Sequence, residues 1–186
     1  MTLASLLMKL PNKHVMRPKT WEGKRSSWLF GMVVNKSKGG VIVKASANSK
    51  YPIVYRYLQD LIKTHDEHFP WTTINVNRNI ECKNHIDKNN LGDSIIVGLG
   101  DYCGGEFVVK KGDLPTNFVG SPPPKVPTYR EDTKYDIKGN FVRFCGKTQY
   151  HSTEPFKGER YSIVYFSMFT QERFDWEKTR QGSCLF

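Results

Sequence analysis

His85-Ile86-Asp87 carries the most chemistry in the fewest residues of this chain. In extended backbone, side chains two apart point to the same side, so an imidazole and a carboxylate here face a common point. His151 offers a third ligand, at the head of HSTEPFKGERYSIVYF, where Arg160 follows nine residues later inside a strand-forming run. Two His and one carboxylate with positions left open is the donor set that favours non-haem Fe(II) and oxygen chemistry. A bare His-x-Asp also occurs in surface loops, but its surroundings speak for a site. An alternating stretch precedes it, a buried-looking strand and Gly104-Gly105 follow, and Gly158-x-Arg160-x-Ser162 stands downstream.

The elements that must position these groups read as mainly β. Residues 1–26, with Pro11, Pro18 and many charges but no steady period, read as an irregular arm. Residues 27–34 and 41–44 read as a hairpin about a Gly39-Gly40 turn. From Pro52, the spacing of Ile53, Val54, Tyr57, Leu58, Leu61 and Ile62 predicts a helix that covers one face of a sheet. Residues 72–80 follow as a strand with Asn75, Asn77 and Asn79 on one face and Ile74, Val76 and Ile80 on the other. Asparagine is a poor strand former, so this polar face either lines a cavity or meets solvent.

Residues 94–100 are nearly continuous apolar sequence, as in a strand buried on both faces, and residues 106–110 form a further strand. Residues 111–127, with Pro115 and Pro122-Pro123-Pro124, read as a long loop over the site. Residues 135–137 and 140–145 read as strands about a Lys138-Gly139 turn. Residues 160–168 are the last strand, and a short amphipathic tail follows. Many strands, one good helix and long loops point to a barrel or sandwich, with a cavity between its sheets.

At 186 residues the chain fits one domain, and 38% hydrophobic with 13% aromatic residues fits a folded one. No apolar run approaches the roughly 18 residues of a membrane helix, and residues 4–7 lack the length and basic lead-in of a secretory signal. The chain therefore reads as soluble and intracellular. Cys82, Cys103, Cys145 and Cys184 form no Cys-x-x-Cys pair and read as free thiols. Cys82 is either a small residue packed near the site or a member of a Cys/His zinc set. Of the net charge of +10, residues 1–50 hold +9, ten Lys and Arg against Glu22 alone. Such asymmetry fits a nucleic-acid partner or a solvated basic arm.

Taken together, His85-x-Asp87, His151 and Gly158-x-Arg160-x-Ser162 resemble the Fe(II)/2-oxoglutarate-dependent dioxygenases over residues 70–168. The resemblance implies a double-stranded β-helix (jelly-roll) core with flanking helices. It implies His85, Asp87 and His151 as iron ligands, and Fe(II), 2-oxoglutarate and O2 as cofactors. Arg160 then pairs with the distal carboxylate of 2-oxoglutarate. A guanidinium suits a bidentate carboxylate clamp, and Ser162 on the same strand face adds a hydroxyl. The amides of Asn75 and Asn77 are placed to bond the cosubstrate's inner carboxylate or a base edge.

Within that superfamily the likeness is nearest to the TET/JBP group, whose motif has an asparagine shortly after His-x-Asp that contacts the target base. Asn90 occupies that place, with Asn89 competing for it, before Gly92, Ser94 and Ile95-Ile96-Val97. The cysteine-rich zinc region of TET proteins has no counterpart. The implied function is oxidation of the methyl of 5-methylcytosine or thymine in nucleic acid. A peptidyl (prolyl-type) or small-molecule hydroxylase is the alternative enzyme, and a polyanion-binding β-barrel module is the alternative outside enzymes.

Overall fold

The computed structural model describes residues 2–11, 26–35, 37, 39–110, 132–170, 172, 173 and 175. The elements run α1 (Leu3–Met8), β1 (Ser26–Asn35), β2 (Val41–Lys44), α2 (Ser46–Lys50) and α3 (Pro52–His65), then β3 (Thr73–Arg78), β4 (Leu91–Gly104) and β5 (Phe107–Val109). After these come β6 (Thr133–Tyr135), β7 (Val142–Phe144), β8 (His151–Thr153) and β9 (Phe156–Ser167). A six-stranded sheet has the order β2-β1-β3-β9-β4-β7, and a three-stranded sheet faces it in the order β6-β5-β8. All the strand pairs are antiparallel. This is the sandwich that the strand pattern points to, in the two-sheet jelly-roll form that the resemblance implies.

Alternation along each long strand divides the large sheet into two faces. Trp28, Phe30, Ile74, Val76, Ile95, Val97, Tyr161, Ile163 and Tyr165 form the outer face, packed beneath the helices. Ile96, Val142, Phe144 and Val164 turn inward from the large sheet and meet Ile137 and, across the gap, Phe107 and Val109 of the small sheet. The outer face builds the main core, and the inner face is left to wall a cavity.

Helix α3 starts at Pro52, whose missing N–H is no loss in a first turn, and carries Lys63 and His65 in its last turn. Its buried line is Val54, Leu58 and Ile62, whereas Ile53 is 54% exposed. The apolar stripe in the sequence is therefore wider than the face that packs. The Tyr165 hydroxyl donates to the Leu58 carbonyl at 2.7 Å and ties α3 to β9.

One reading of the chain needs correction. Residues 3–8 form α1, not irregular chain: Thr2 caps it by accepting from the Ser5 N–H, and Leu6, Leu7 and Leu10 are buried in the core. So short a helix depends on burial and leaves no lasting period in the sequence. The strands expected about the Lys138-Gly139 turn are present as β6 and β7, β6 in the small sheet and β7 in the large one. Gly98 holds the crossing by donating to the Ile137 carbonyl at 2.7 Å and accepting from the Gly139 N–H at 2.9 Å. The rest of the basic arm from residue 12 to 25, the proline-rich loop and Cys184 lie outside the described residues.

Truncating Leu58, wholly buried, to Ala should cost about 2–5 kcal/mol in urea unfolding, while Ile53→Ala should stay within about 0.5 kcal/mol. Burial also pushes the Tyr165 phenol well above its ordinary value of 10.0, so folding favours the neutral form. That contribution is complete below about pH 10 and is lost as pH rises from there through the folded pKa. In Tyr165→Phe the alkaline decline in stability should be shallower, although the variant loses about 1 kcal/mol at neutral pH with the hydroxyl's bond. Melting curves from pH 7 to 11 measure both.

Candidate metal centre and cavity

After β3 the chain runs along the free edge of β8 and extends the small sheet. His85 and His151 exchange backbone bonds, with the His85 N–H to the His151 carbonyl at 3.0 Å and the reverse at 2.9 Å. The Thr153 N–H donates to the Cys82 carbonyl at 2.9 Å, a further bond along the same edge. Two imidazoles 66 positions apart in sequence are thereby set side by side, ring centres 4.3 Å apart. Asp87 follows His85 at the spacing that returns its carboxylate to the same point, held by its own N–H on the Gly146 carbonyl at 2.8 Å.

The three side chains converge. His85 Nε2 lies 3.7 Å from Asp87 Oδ1, and His151 Nε2 lies 3.6 Å from Asp87 Oδ2. One ligand atom from each residue falls within 4.8 Å of the others. Each ring also contacts the carbonyl two residues before it through Nδ1, His85 to Lys83 at 2.7 Å and His151 to Gln149 at 2.9 Å. A carbonyl only accepts, so Nδ1 carries the hydrogen, and in the neutral ring the Nε2 lone pair is free for a metal. These outer bonds are of the kind that orient metal-binding histidines. His151 is buried against the rings of Phe144 and Phe107, while His85 and Asp87 are half-buried at the cavity side.

The cavity measures about 420 Å³ and lies between the sheets. Its lining includes His85, Asp87, His151, Asn75, Asn77, Asn89, Asn90, Ser162 and Cys82. Strand alternation accounts for much of this, since Asn77 lies opposite Ser162, and Asn75 opposite Val164, on the paired strands β3 and β9. Asn75 Oδ1 accepts from the Ser27 hydroxyl at 2.8 Å, which leaves the Asn75 amide group to face the cavity as a donor. Asn79 departs from the pattern. At φ 53° it leaves the strand, and its backbone N–H and side-chain oxygen instead hold the Arg160 carbonyl and N–H, each at 2.8 Å. It fixes Arg160 rather than lining the cavity.

Arg160 is 1% exposed and lies between the rings of Tyr102 and Phe156, 5.5 and 5.4 Å from their centres. It is not part of the cavity wall but sits behind it, two residues along the same strand face from Ser162. Gly105, at φ +74°, makes room for it, since a Cβ there would come within 2.9 Å of Arg160 Nε. Arg160 Nε and Nη2 are buried with no hydrogen-bond partner, and so is the Tyr102 hydroxyl. Burial lowers the Arg160 pKa and the neighbouring Tyr102 opposes the shift. A buried cation with unmet donors is costly, and a carboxylate is the group that would satisfy it.

Asn90 is buried. Its amide nitrogen reaches Ser94 Oγ at 3.2 Å and Asp87 Oδ2 at 3.5 Å, so it stands beside the Asp87 carboxylate, whereas Asn89 is exposed at the rim. Cys82, Cys103 and Cys145 form no disulfide, and Cys82 is not among the three convergent ligands. The apolar lining from Ile96, Phe107, Phe144, Val164 and Phe166 carries no motif in the sequence, although alternation from Ser162 points to Val164 and Phe166.

No family model matches the chain, and no curated protein matches it in sequence. Among solved structures it is similar to an oxidoreductase of the 2OG-Fe(II) oxygenase family from Burkholderia pseudomallei. The identity is 18%, with a TM-score of 0.48 over 87% of this chain and 73% of that one. It is also similar to NgTET1 in complex with 5mC DNA, at 13% identity and a TM-score of 0.52 over 84% of this chain and 69% of that one. What the second likeness establishes is a shared fold, the double-stranded β-helix that the residue resemblance implied.

Removing any one of the three ligands from an open site should abolish most metal affinity. Mn(II) titration of His85→Ala, Asp87→Ala and His151→Ala should each show at least about a tenfold loss against the parent chain. Unchanged binding in His151→Ala would take that residue out of the centre.

Proposed function

We propose that this chain is an Fe(II)- and 2-oxoglutarate-dependent dioxygenase that hydroxylates a C–H bond. The observation that carries this reading is the convergence of His85, Asp87 and His151 on one point in a cavity backed by a buried, unsatisfied arginine. His85 Nε2, Asp87 and His151 Nε2 would hold the iron, a donor set suited to non-haem Fe(II). Arg160 would receive the distal carboxylate of 2-oxoglutarate, with Ser162 beside it on the strand and the amides of Asn75 and Asn77 along the wall. When bound, these groups with O2 supply an oxidation in which 2-oxoglutarate becomes succinate and CO2, one oxygen atom entering succinate and the other the substrate C–H bond.

The protein's own part is placement and exclusion of water. Phe107, Phe144, Val164 and Phe166 make the walls apolar, so the polar groups named above act in a medium that strengthens their interactions. Asp87 is steadied by Asn90, and both histidines by carbonyls. A cavity of about 420 Å³ falls in the range of small-ligand sites. It has room for a cosubstrate and one flat ring or side chain, not for a duplex.

For the substrate we propose the methyl of a methylated pyrimidine, 5-methylcytosine or thymine, in nucleic acid. Support comes from the +9 charge of residues 1–50, from Asn89 and Asn90 at the cavity, and from the fold shared with a protein seen in complex with 5mC DNA. Such a base must leave its stack to enter, as in other enzymes that act on bases. Asn89 would meet it at the rim and Asn90 close to the metal. Among the described residues no helix is long and apolar enough to cross a membrane.

The deciding experiment measures succinate release with Fe(II) and 2-oxoglutarate across methylated DNA, RNA and peptides. Methylated DNA should stimulate turnover most, and stimulation by a peptide alone would move the substrate to protein. Arg160→Lys keeps charge but loses the fork, so the 2-oxoglutarate KM should rise roughly 10–100-fold, the equivalent of the charge-assisted bond it removes. A near-normal KM would remove Arg160 from the site. DNA affinity should fall steeply with salt, and neutralising Lys9, Lys13, Arg17, Lys19, Lys24 and Arg25 should flatten the slope by about 0.9 for each phosphate that the arm no longer neutralises. Equal slopes would mean that the arm touches no phosphate.

A further inference from the structure

Residues 145–149 lie outside the motifs that mark the site, yet two of the three ligand residues hang from them. The Asp87 N–H donates to the Gly146 carbonyl at 2.8 Å, and His151 Nδ1 donates to the Gln149 carbonyl at 2.9 Å. The segment is closed on itself through one residue. Gln149 N–H donates to the Cys145 carbonyl at 2.9 Å, and the Gln149 side-chain oxygen accepts from the Cys145 N–H at 2.8 Å. Thr148 N–H reaches the same Cys145 carbonyl at 3.2 Å. Both backbone polar groups of Cys145 are thus taken up by Gln149, one through its main chain and one through its side chain.

We infer that Gln149 is a positioning residue for the metal centre: its side chain clasps the 145–149 turn, and the turn in turn sets Asp87 and His151 relative to each other. The inference rests on the metal-centre reading of those residues. Gln149 does not line the cavity, so it touches neither metal nor substrate. It acts through the turn it closes. Without the clasp, the Gly146 and Gln149 carbonyls are free to part, and each ligand keeps its local anchor while their mutual spacing relaxes. The Asp87 Oδ2 to His151 Nε2 distance of 3.6 Å is the quantity under control. Asn90, itself bonded to Ser94, also reaches the carboxylate but makes no bond to His151.

Two variants of the full chain separate this role from packing. Gln149→Met keeps the length of the side chain and loses its carbonyl acceptor, while Gln149→Glu keeps an acceptor at the same reach. Co(II) is the probe, read by affinity and by its visible ligand-field spectrum, with circular dichroism and melting as controls of the fold. Gln149→Met should bind Co(II) about 10–100-fold more weakly with an altered spectrum, and Gln149→Glu should restore the parent spectrum and most of the affinity. Parent-like affinity and spectrum in Gln149→Met, or equal loss in both variants, would overturn the clasp. Failure of the parent chain itself to bind Co(II) would overturn the metal centre and the clasp with it. Should Gln149→Met not fold, hydrogen exchange of the Cys145 amide in the parent chain decides instead. Co(II) should slow that exchange, and an unchanged rate would overturn the proposal.

Discussion

The site depends on one backbone pairing, the exchange of hydrogen bonds between His85 and His151. The two imidazoles can share one point with Asp87 only when they stand side by side, and nothing local brings them together. The pairing adds the segment after β3 to the edge of the small sheet, and in doing so carries Asp87 into the same space. It is also a sheet-edge solution, since the β8 edge that would lie open is covered by the chain that bears the ligands. Structure and chemistry thus share a single set of bonds.

Strand β9 does the complementary work on the opposite wall. Tyr161, Ile163 and Tyr165 face the helices and build the core, while Ser162, Val164 and Phe166 line the cavity and Arg160 sits behind it on that same face. A one-residue slip in its register with β3 or β4 would exchange the two sets and put a guanidinium into the core. The buried tyrosines and isoleucines therefore hold Arg160 in place as firmly as Asn79 does. Stability on one face is converted to orientation on the other.

How much of this could be read from the chain follows from the range of each signal. His85-x-Asp87 and the Arg160-x-Ser162 face are short-range statements, because a period of two determines them within three residues. Strands β1, β3, β4 and β9 and helix α3 are long enough to display their period and stand at the places read from the sequence, with β4 running from 91 to 104 rather than 94 to 100 and β9 starting at 156 rather than 160. Strands of three residues show no period, so the sheet that β6 or β7 joins about Lys138-Gly139 is not marked in the sequence. Helix α1 is likewise visible only through what Leu6 and Leu7 are buried against. Asn79 fits the alternation of its neighbours in sequence, and its left-handed backbone removes it from that pattern. Gln149 carries no motif at all, since its bonds to Cys145 exist only once the turn has formed.

On the proposed function, one cavity holds a metal and 2-oxoglutarate together, the cosubstrate reaching from His85, Asp87 and His151 to Arg160. If so, each must raise the other's affinity by the same factor, because binding free energies at linked sites are reciprocal. Calorimetric titration of 2-oxoglutarate into the chain, with and without saturating Mn(II) and without O2, measures this directly. One equivalent should bind tightly only when Mn(II) is present, and that dependence should be lost in Asp87→Ala. Binding of 2-oxoglutarate with the same affinity in the presence and absence of metal would contradict it.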